Sequence, residues 1–276
     1  MKRNFKYIAM MMLLALCFTA CEKQSAGRTG VVDYVVLKLL GESQIFLPIG
    51  DPFVDPGWTA TDKGKDVHDD VIISIIDMLG KSVDEVTTDA SGIFTIYYTA
   101  TSEDKMTITE SRQVFVYDPT LSVSLKGQFD VDFAASARID GSRNWTWSQW
   151  YDYYSDEGNN GAIAAYAQKA VTIDFKELAP GIYEVSDLLG GFYGSVRGLG
   201  PYYAATLGSS YLTYFDMKGM VVLNADLTLD LVSSHIQNWN DGLEGLTGTY
   251  DEESKKLDLH SIYGGGMDFN VVMVKK

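Results

Sequence analysis

Gly92-Ile93-Phe94-Thr95-Ile96-Tyr97-Tyr98-Thr99-Ala100 decides the fold. β-Branched and aromatic residues fill it, and such side chains suit a pleated, half-buried surface better than a helix. The turn Ala90-Ser91-Gly92 opens it. Arg112-Gln113-Val114-Phe115-Val116-Tyr117 is a second run of this kind, closed by Asp118-Pro119, as proline closes a boundary. Upstream, Val71 to Ile76 (VIISII) is short and β-branched, and Gln44 to Leu47 and Val35 to Leu40 are extended apolar stretches. Gly50-Asp51-Pro52 and Asp55-Pro56-Gly57 are turns, because proline presets φ and glycine accepts a positive one. Short strands separated by turn signals predict a β-sandwich over residues 31–118.

Residues 119–276 continue as a second antiparallel β-domain, an expected barrel or sandwich. Leu121, Val123 and Leu125 alternate with polar residues, as do Val171, Ile173 and Phe175. Val221 to Leu231 reads as one strand, with Leu223, Ala225, Leu227, Leu229 and Leu231 on a dry face and Asn224, Asp226, Thr228 and Asp230 on a wet one. Asp251 to Lys256 reads as the charged tip of a hairpin, and Met267 to Met273 as the final strand. Helix is scarce, with two turns expected over Ala162 to Lys169. The fold class is therefore all-β.

Two resemblances follow. Phe53-Val54-Asp55-Pro56-Gly57 with Thr59-Ala60, the Gly92–Ala100 strand and Arg112-Gln113-Val114-Phe115-Val116 resemble the bacterial immunoglobulin-like domains of surface proteins. Those domains carry a D-P-G-x-x-A corner, a G-x-Y/F-x-I-x-Y-x-A strand and an R-x-V-x-V last strand. The resemblance implies a spacer or adhesive module without catalysis. Gly181-Ile182-Tyr183-Glu184-Val185-Ser186-Asp187, Gly190-Gly191-Phe192-Tyr193 and Leu246-Thr247-Gly248-Thr249-Tyr250-Asp251 resemble the C-terminal β-domain of Bacteroidota lipoproteins. Many of these are associated with capture of polysaccharides at the outer membrane.

The first residues fix the expected compartment. Lys2, Arg3 and Lys6 precede an apolar run from Tyr7 to Leu16, and Phe18-Thr19-Ala20 leads to Cys21. That is the layout of a secretory signal peptide over residues 1–20, and its apolar run is shorter than the roughly 20 residues a spanning helix needs. A cysteine directly after the small residues resembles a bacterial lipoprotein signal, which implies lipidation at Cys21 and a tether over residues 21–30. Lipid anchorage in the outer membrane follows, at either the cell surface or the periplasmic face. Cys17 lies in the leader, so the body keeps no thiol for a disulfide or a cysteine metal site. The net charge of −15 excludes nucleic acid, which is held mainly by Lys and Arg on phosphate.

Asn144 to Tyr154 (NWTWSQWYDYY) is the most pointed chemical feature. A strand would align Trp145, Trp147, Tyr151 and Tyr153, whereas a helix would align Trp147, Trp150, Tyr151 and Tyr154. Aromatic faces stack on apolar sugar faces while their polar edges stay wet, and Asn144, Gln149 and Asp152 carry groups for sugar hydroxyls. Such a cluster also serves as a core plug. Gly190 to Tyr203 (GGFYGSVRGLGPYY) is a candidate groove wall through Tyr193, Arg197, Tyr202 and Tyr203, or a flexible loop. The candidate ligand-binding set is thus Trp145, Trp147, Trp150, Tyr151, Asp152, Tyr154, Arg197, Tyr202 and Tyr203. Asp156 to Gly161 lacks the alternating ligands of a calcium loop. Asp130 and Asp132 share a strand face, but a glycosidase needs two acids about 5–10 Å apart across a cleft, and acids are too abundant here to single out a pair. No catalytic residue, metal or cofactor is expected. The function expected is glycan binding by a non-catalytic envelope lipoprotein. The alternative is an accessory subunit of an envelope complex, with protein partners and no small ligand.

Overall fold

A computed structural model describes residues 34–139, 141 and 143–276. The expected leader, Cys21 and the tether lie outside the described residues. Among the described residues, no helix is long and apolar enough to cross a membrane. Backbone proximity divides the chain into two compact units. Of the described residues, 34–38, Trp58–Val71 and Thr99–Thr109 form one; Leu39–Gly57, Ile72–Tyr98 and Glu110–Lys276 form the other.

The N-terminal strands make two sheets. β1 (Val36–Leu39), β3 (Trp58–Asp62) and β4 (Lys65–Asp66) form a sheet in the order β1-β3-β4. In that unit Trp58 stacks on His68 with ring centroids 4.7 Å apart, and Asp62 accepts a hydrogen bond from Glu103 N at 2.8 Å. β2 (Gln44–Pro48), β5 (Ile72–Asp77), β6 (Ser82–Val83), β7 (Gly92–Thr101) and β8 (Thr107–Tyr117) form a second sheet in the order β2-β8-β7-β5-β6. β2 runs parallel to β8 with Phe46 opposite Phe115, and their rings stack at 4.8 Å.

Three separate motif fragments meet at one buried ion pair in this second unit. Arg112 of β8 is fully buried. Its Nη1 donates to the Asp55 carboxylate and, at 3.1 Å, to Tyr98 Oη. Its Nε donates to Glu42 O at 3.0 Å, and Nη2 donates to Leu40 O. Tyr98 in turn donates to Asp55 Oδ2 at 2.6 Å. Burial, then the Asp55 carboxylate, raises the Tyr98 phenol well above its usual value. The corner, the Gly92–Ala100 strand and the final arginine strand are therefore one hydrogen-bonded device.

The remaining strands close into a barrel. β9 (Gly127–Val131), β12 (Thr172–Ala179), β13 (Ile182–Val185), β14 (Met217–Leu223), β15 (Thr228–Ile236), β16 (Leu243–Asp251), β17 (Lys256–Tyr263) and β18 (Met267–Lys275) follow one another around the sheet. Every neighbouring pair is antiparallel. β18 returns to β9 with Met273 opposite Val131, which closes the ring. Of the two expected architectures, the barrel is the one formed. β10 (Ala137–Ile139) pairs with the first half of β18, with Ile139 opposite Asp268, and β11 (Asn144–Thr146) pairs with β10. Strand side chains alternate, and the inward set fills the barrel with Phe129, Phe175, Tyr183, Leu257, Phe269 and Met273. On its outside, Ala179, Ile182 and Val222 are buried with Ile93 and Phe115 of the five-stranded sheet.

Three sequence expectations need correction. Val221 to Leu231 is a hairpin, because Asn224 N bonds to Thr228 O at 2.8 Å and Leu227 takes φ of 64°. Asp226 locks the turn by accepting from Thr228 N and Oγ1 at 3.1 and 2.6 Å. The leucine alternation ran straight through this turn and concealed it. Leu121, Val123 and Leu125 precede β9 in irregular backbone, where Leu125 N donates to Tyr183 Oη at 3.1 Å. Ala162 to Lys169 forms a 3-10 stretch, Gly161–Tyr166, instead of two α-turns.

Candidate functional site: the capped end of the barrel

The chain between β9 and β12, with that between β13 and β14, supplies the cap. Trp147–Tyr154 is an α-helix, so the helical alignment is realised. Thr146 caps it: Gln149 N donates to Thr146 Oγ1 at 3.3 Å, and Thr146 N donates back to Gln149 Oε1 at 2.9 Å. The inward face carries Trp147, Trp150 and Tyr154, which are 0%, 3% and 8% exposed. These three are core residues, which corrects their place in the candidate ligand set: a ring without exposed surface cannot stack on a sugar. Trp147 Nε1 donates to Gly190 O at 3.0 Å.

Gly190 to Tyr203 is likewise a plug instead of a flexible loop. Phe192–Val196 makes a single π-turn and Leu199–Leu207 an α-helix. Gly190 takes φ of 59°, and a Cβ there would sit 2.6 Å from Val271 Cγ1. Only glycine allows so close an approach. Phe192 is the hub, with ring centroids 5.1 Å from Trp147, 5.6 Å from Trp150 and 5.3 Å from Phe269. The Arg138 guanidinium lies 5.3 Å from the Trp150 ring and 5.2 Å from Phe192, a favourable cation–π arrangement in a desolvated site.

The outer side of the cap keeps other members of the set near water. Trp145 and Tyr151 are half-buried and Asp152 is exposed. Arg143 lies over the Trp145 ring at 5.0 Å, and Lys169 over Tyr151 at 5.6 Å. Arg197 is half-buried, its guanidinium 5.5 Å from the Tyr154 ring. Tyr202 and Tyr203 are half-buried, and they lead to a tryptophan outside the Asn144–Tyr154 stretch. Tyr203 stacks on Phe215 at 5.3 Å, and Phe215 packs against Trp239 at 5.8 Å. Trp239 lies in the β15–β16 loop and is 41% exposed. The signal for it was Asn238-Trp239-Asn240-Asp241-Gly242, an indole set in turn residues.

A buried acid pair was also missed. Asp187 is 3% exposed, and its Oδ1 accepts from Leu189 N at 2.8 Å and Met217 N at 3.2 Å. Burial, then the neighbouring Asp216, holds its carboxyl well above the usual range. Burial pushes Asp216 up to about 6. Both carboxyls hold their protons more tightly than usual, but the Asp187 carboxyl is sealed in the core with one oxygen committed to backbone. A glycosidase needs both acids flanking an accessible bond.

The other acids considered have structural tasks. Asp130 accepts from Thr172 Oγ1 at 2.6 Å and pairs with Lys276 at 3.0 Å. Asp132 accepts from Ala134 N and Ala135 N. Asp156 accepts from Gly158 N at 2.7 Å, capping the short helix Glu157–Asn160. Among the described residues no three His, Cys, Asp or Glu side chains gather to hold a metal ion. Two open grooves run along the outside of the barrel wall. One of about 540 Å³ includes Asp174, Lys176, Glu184, Lys218 and His235, and one of about 490 Å³ includes Thr228, Asp230, Thr249, Asp258 and His260.

These features define an all-β protein in which an immunoglobulin-like segment precedes a closed, internally packed meander barrel. Residues 37–116 match the family model of the bacterial surface protein Ig-like domain. Residues 146–275 match a second family model, described as a C-terminal domain. The solved structure of a lipoprotein from Bacteroides thetaiotaomicron is 26% identical, covering 88% of this chain and 100% of its own, with a TM-score of 0.41. The CBM51-2 and INT domains of Clostridium perfringens ZmpB, solved in complex with GlcNAc, are 19% identical over 55% of this chain and 31% of their own, with a TM-score of 0.24. No curated protein matches the chain.

Proposed function

We propose that the protein is a non-catalytic, lipid-anchored envelope protein whose barrel binds glycans on the outside of its capped end. The observation that carries this reading is the division of the aromatic residues there. Trp147, Trp150 and Phe192 fill the interior, while Trp145, Tyr151 and Trp239 keep surface at the rim. A barrel filled by its own side chains has no calyx for a small apolar ligand, so recognition falls to rings at the surface. The match to a bacterial surface Ig-like domain and the cysteine that follows the leader support an envelope location. In this reading the immunoglobulin-like segment is a spacer over residues 31–118 and the β-domain over 119–276 the binding part.

Affinity electrophoresis of the detergent-solubilised full chain through plant, host and microbial polysaccharides tests it. Retardation by at least one polymer, relative to a non-binding control protein, is the expected result; free migration through every gel would overturn it. The accessory-subunit reading has one observation of its own. Ile72 and Leu79, on and just after β5, are 68% and 77% exposed, and exposed apolar surface of this kind marks protein contacts when it forms a patch. Loss of a co-purifying envelope protein on Ile72→Asp substitution is what that reading predicts.

A further inference from the structure

We infer that Trp239 is the stacking residue of a glycan site on the β15–β16 loop, and that the sugar it takes is uncharged. This rests on the glycan-binding reading and adds where the sugar sits and of which class it is. An indole left 41% exposed forgoes much of the burial that a large aromatic side chain otherwise gains. Here the loop holds the indole in that position. Ile236 N donates to Asp241 O at 2.8 Å, Asn240 N to Ile236 O at 2.9 Å, and Asn238 N to Tyr214 O at 3.0 Å. Tyr263 Oη reaches both Asp241 carboxylate oxygens, at 2.9 and 3.1 Å. Gly242 lets the loop close on β15, since a Cβ there would lie 2.5 Å from Ser234 O. From the barrel side, Tyr193 meets the indole at 4.8 Å and Phe215 at 5.8 Å. A ring fixed before binding loses little freedom on binding.

The flanking groups identify the ligand class. Gln237, Asn238 and Asn240 are exposed, and each side-chain amide offers both donors and an acceptor to vicinal hydroxyls. Ile236 to Leu246, the loop and the start of β16, contains Asp241 and Glu244 and no lysine or arginine. Uronates and sulfated sugars would meet like charge there, which disfavours their approach. A neutral pyranose presents C–H groups to the indole and hydroxyls to the amides, and matches both.

The test is affinity electrophoresis of the full chain in galactomannan, xyloglucan and mixed-linkage glucan, with polygalacturonate as the acidic counterpart. The parent is compared with Trp239→Ala, Trp239→Phe, Asn240→Gly and the double variant Trp145→Ala/Tyr151→Ala. Retardation in a neutral polymer should weaken about tenfold or more in Trp239→Ala, and weaken less both in Trp239→Phe and in the double variant. Near-UV circular dichroism and the urea midpoint establish that each variant is folded. If Trp239→Ala is damaged, Asn240→Gly decides, because it keeps the positive φ of 55° while removing an amide; it should lose affinity too. Loss confined to the double variant would leave glycan binding standing and overturn the Trp239 site. Strongest retardation in polygalacturonate would overturn the uncharged-sugar assignment. No retardation of the parent anywhere would overturn the glycan-binding reading and this inference together.

Discussion

Trp147→Ala separates a core aromatic cluster from a ligand platform. The indole has no exposed surface, so truncation removes a full aromatic burial and leaves a cavity, at about 3–5 kcal/mol. It also strips the Gly190 carbonyl of its Nε1–H donor, a buried acceptor whose unmet bond costs about 1–3 kcal/mol more. The sum, about 4–8 kcal/mol, rivals the whole stability of a domain, typically about 5–15 kcal/mol. Trp145→Ala removes a half-buried ring two residues away and should cost about 1–2 kcal/mol. Urea unfolding followed by far-UV circular dichroism measures both, with near-UV ellipticity reporting aromatic packing. Trp147→Ala should unfold at far lower urea or fail to fold, and Trp147→Phe, which loses the Nε1–H donor and some volume, should fall between it and the parent. A folded Trp147→Ala protein within about 1 kcal/mol of the parent would refute the core assignment and return Trp147 to the candidate ligand set.

Asp55→Ala leaves the Arg112 guanidinium buried without its counter-charge, and should destabilise the immunoglobulin-like segment by about 3–5 kcal/mol; a loss under about 1 kcal/mol in urea titration would show that the backbone carbonyls of Leu40, Glu42 and Gly57 around Arg112 suffice. Asp216 gives a pH prediction with a definite sign. Its pKa in the fold is raised to about 6 from 3.8, so folding favours its protonated form. Stability is therefore fullest below about pH 4 and is lost as pH rises through about 6. Asp216→Asn should gain up to about 3 kcal/mol at pH 7.5 and converge with the parent near pH 4. Asp226 and Asp251 are held below the usual range by hydrogen bonds to Thr228 and Ser254 and slope the other way in both proteins. The difference between the two proteins is the readout, and parallel pH profiles would contradict the account.

What the sequence revealed follows from how local each signal is. The strands β5, β7 and β8 were legible because their patterning lies within single short runs, and the Asp251–Lys256 hairpin because its polar tip interrupts that patterning. The Val221–Leu231 misreading shows the reverse case: Asn224 to Leu227 turns without glycine or proline, and the leucines keep their phase across it. The aromatic helix was readable as a motif, but which of its faces is inside depends on Phe192 and Gly190, some forty residues away. Barrel closure has no local signal, since it is one pairing between β9 and β18. Trp239 was passed over because a single tryptophan among polar turn residues has no period. The Asp187–Asp216 pair was hidden for a related reason: two acids among many become distinctive only once burial brings them together.

The seam of the barrel also bears on how the molecule is made. β9 and β18 are about the most distant strand partners the β-domain can have in sequence, and pairings of that separation must meet the full cost of loop closure before any contact repays it. Until β18 emerges, β9 and β17 each present an unpaired edge, which is a template for joining other chains. The domain should fold slowly and in a single late event, and should stay loose until that strand arrives. Truncation before Met267 would accordingly yield an aggregating fragment instead of a smaller barrel.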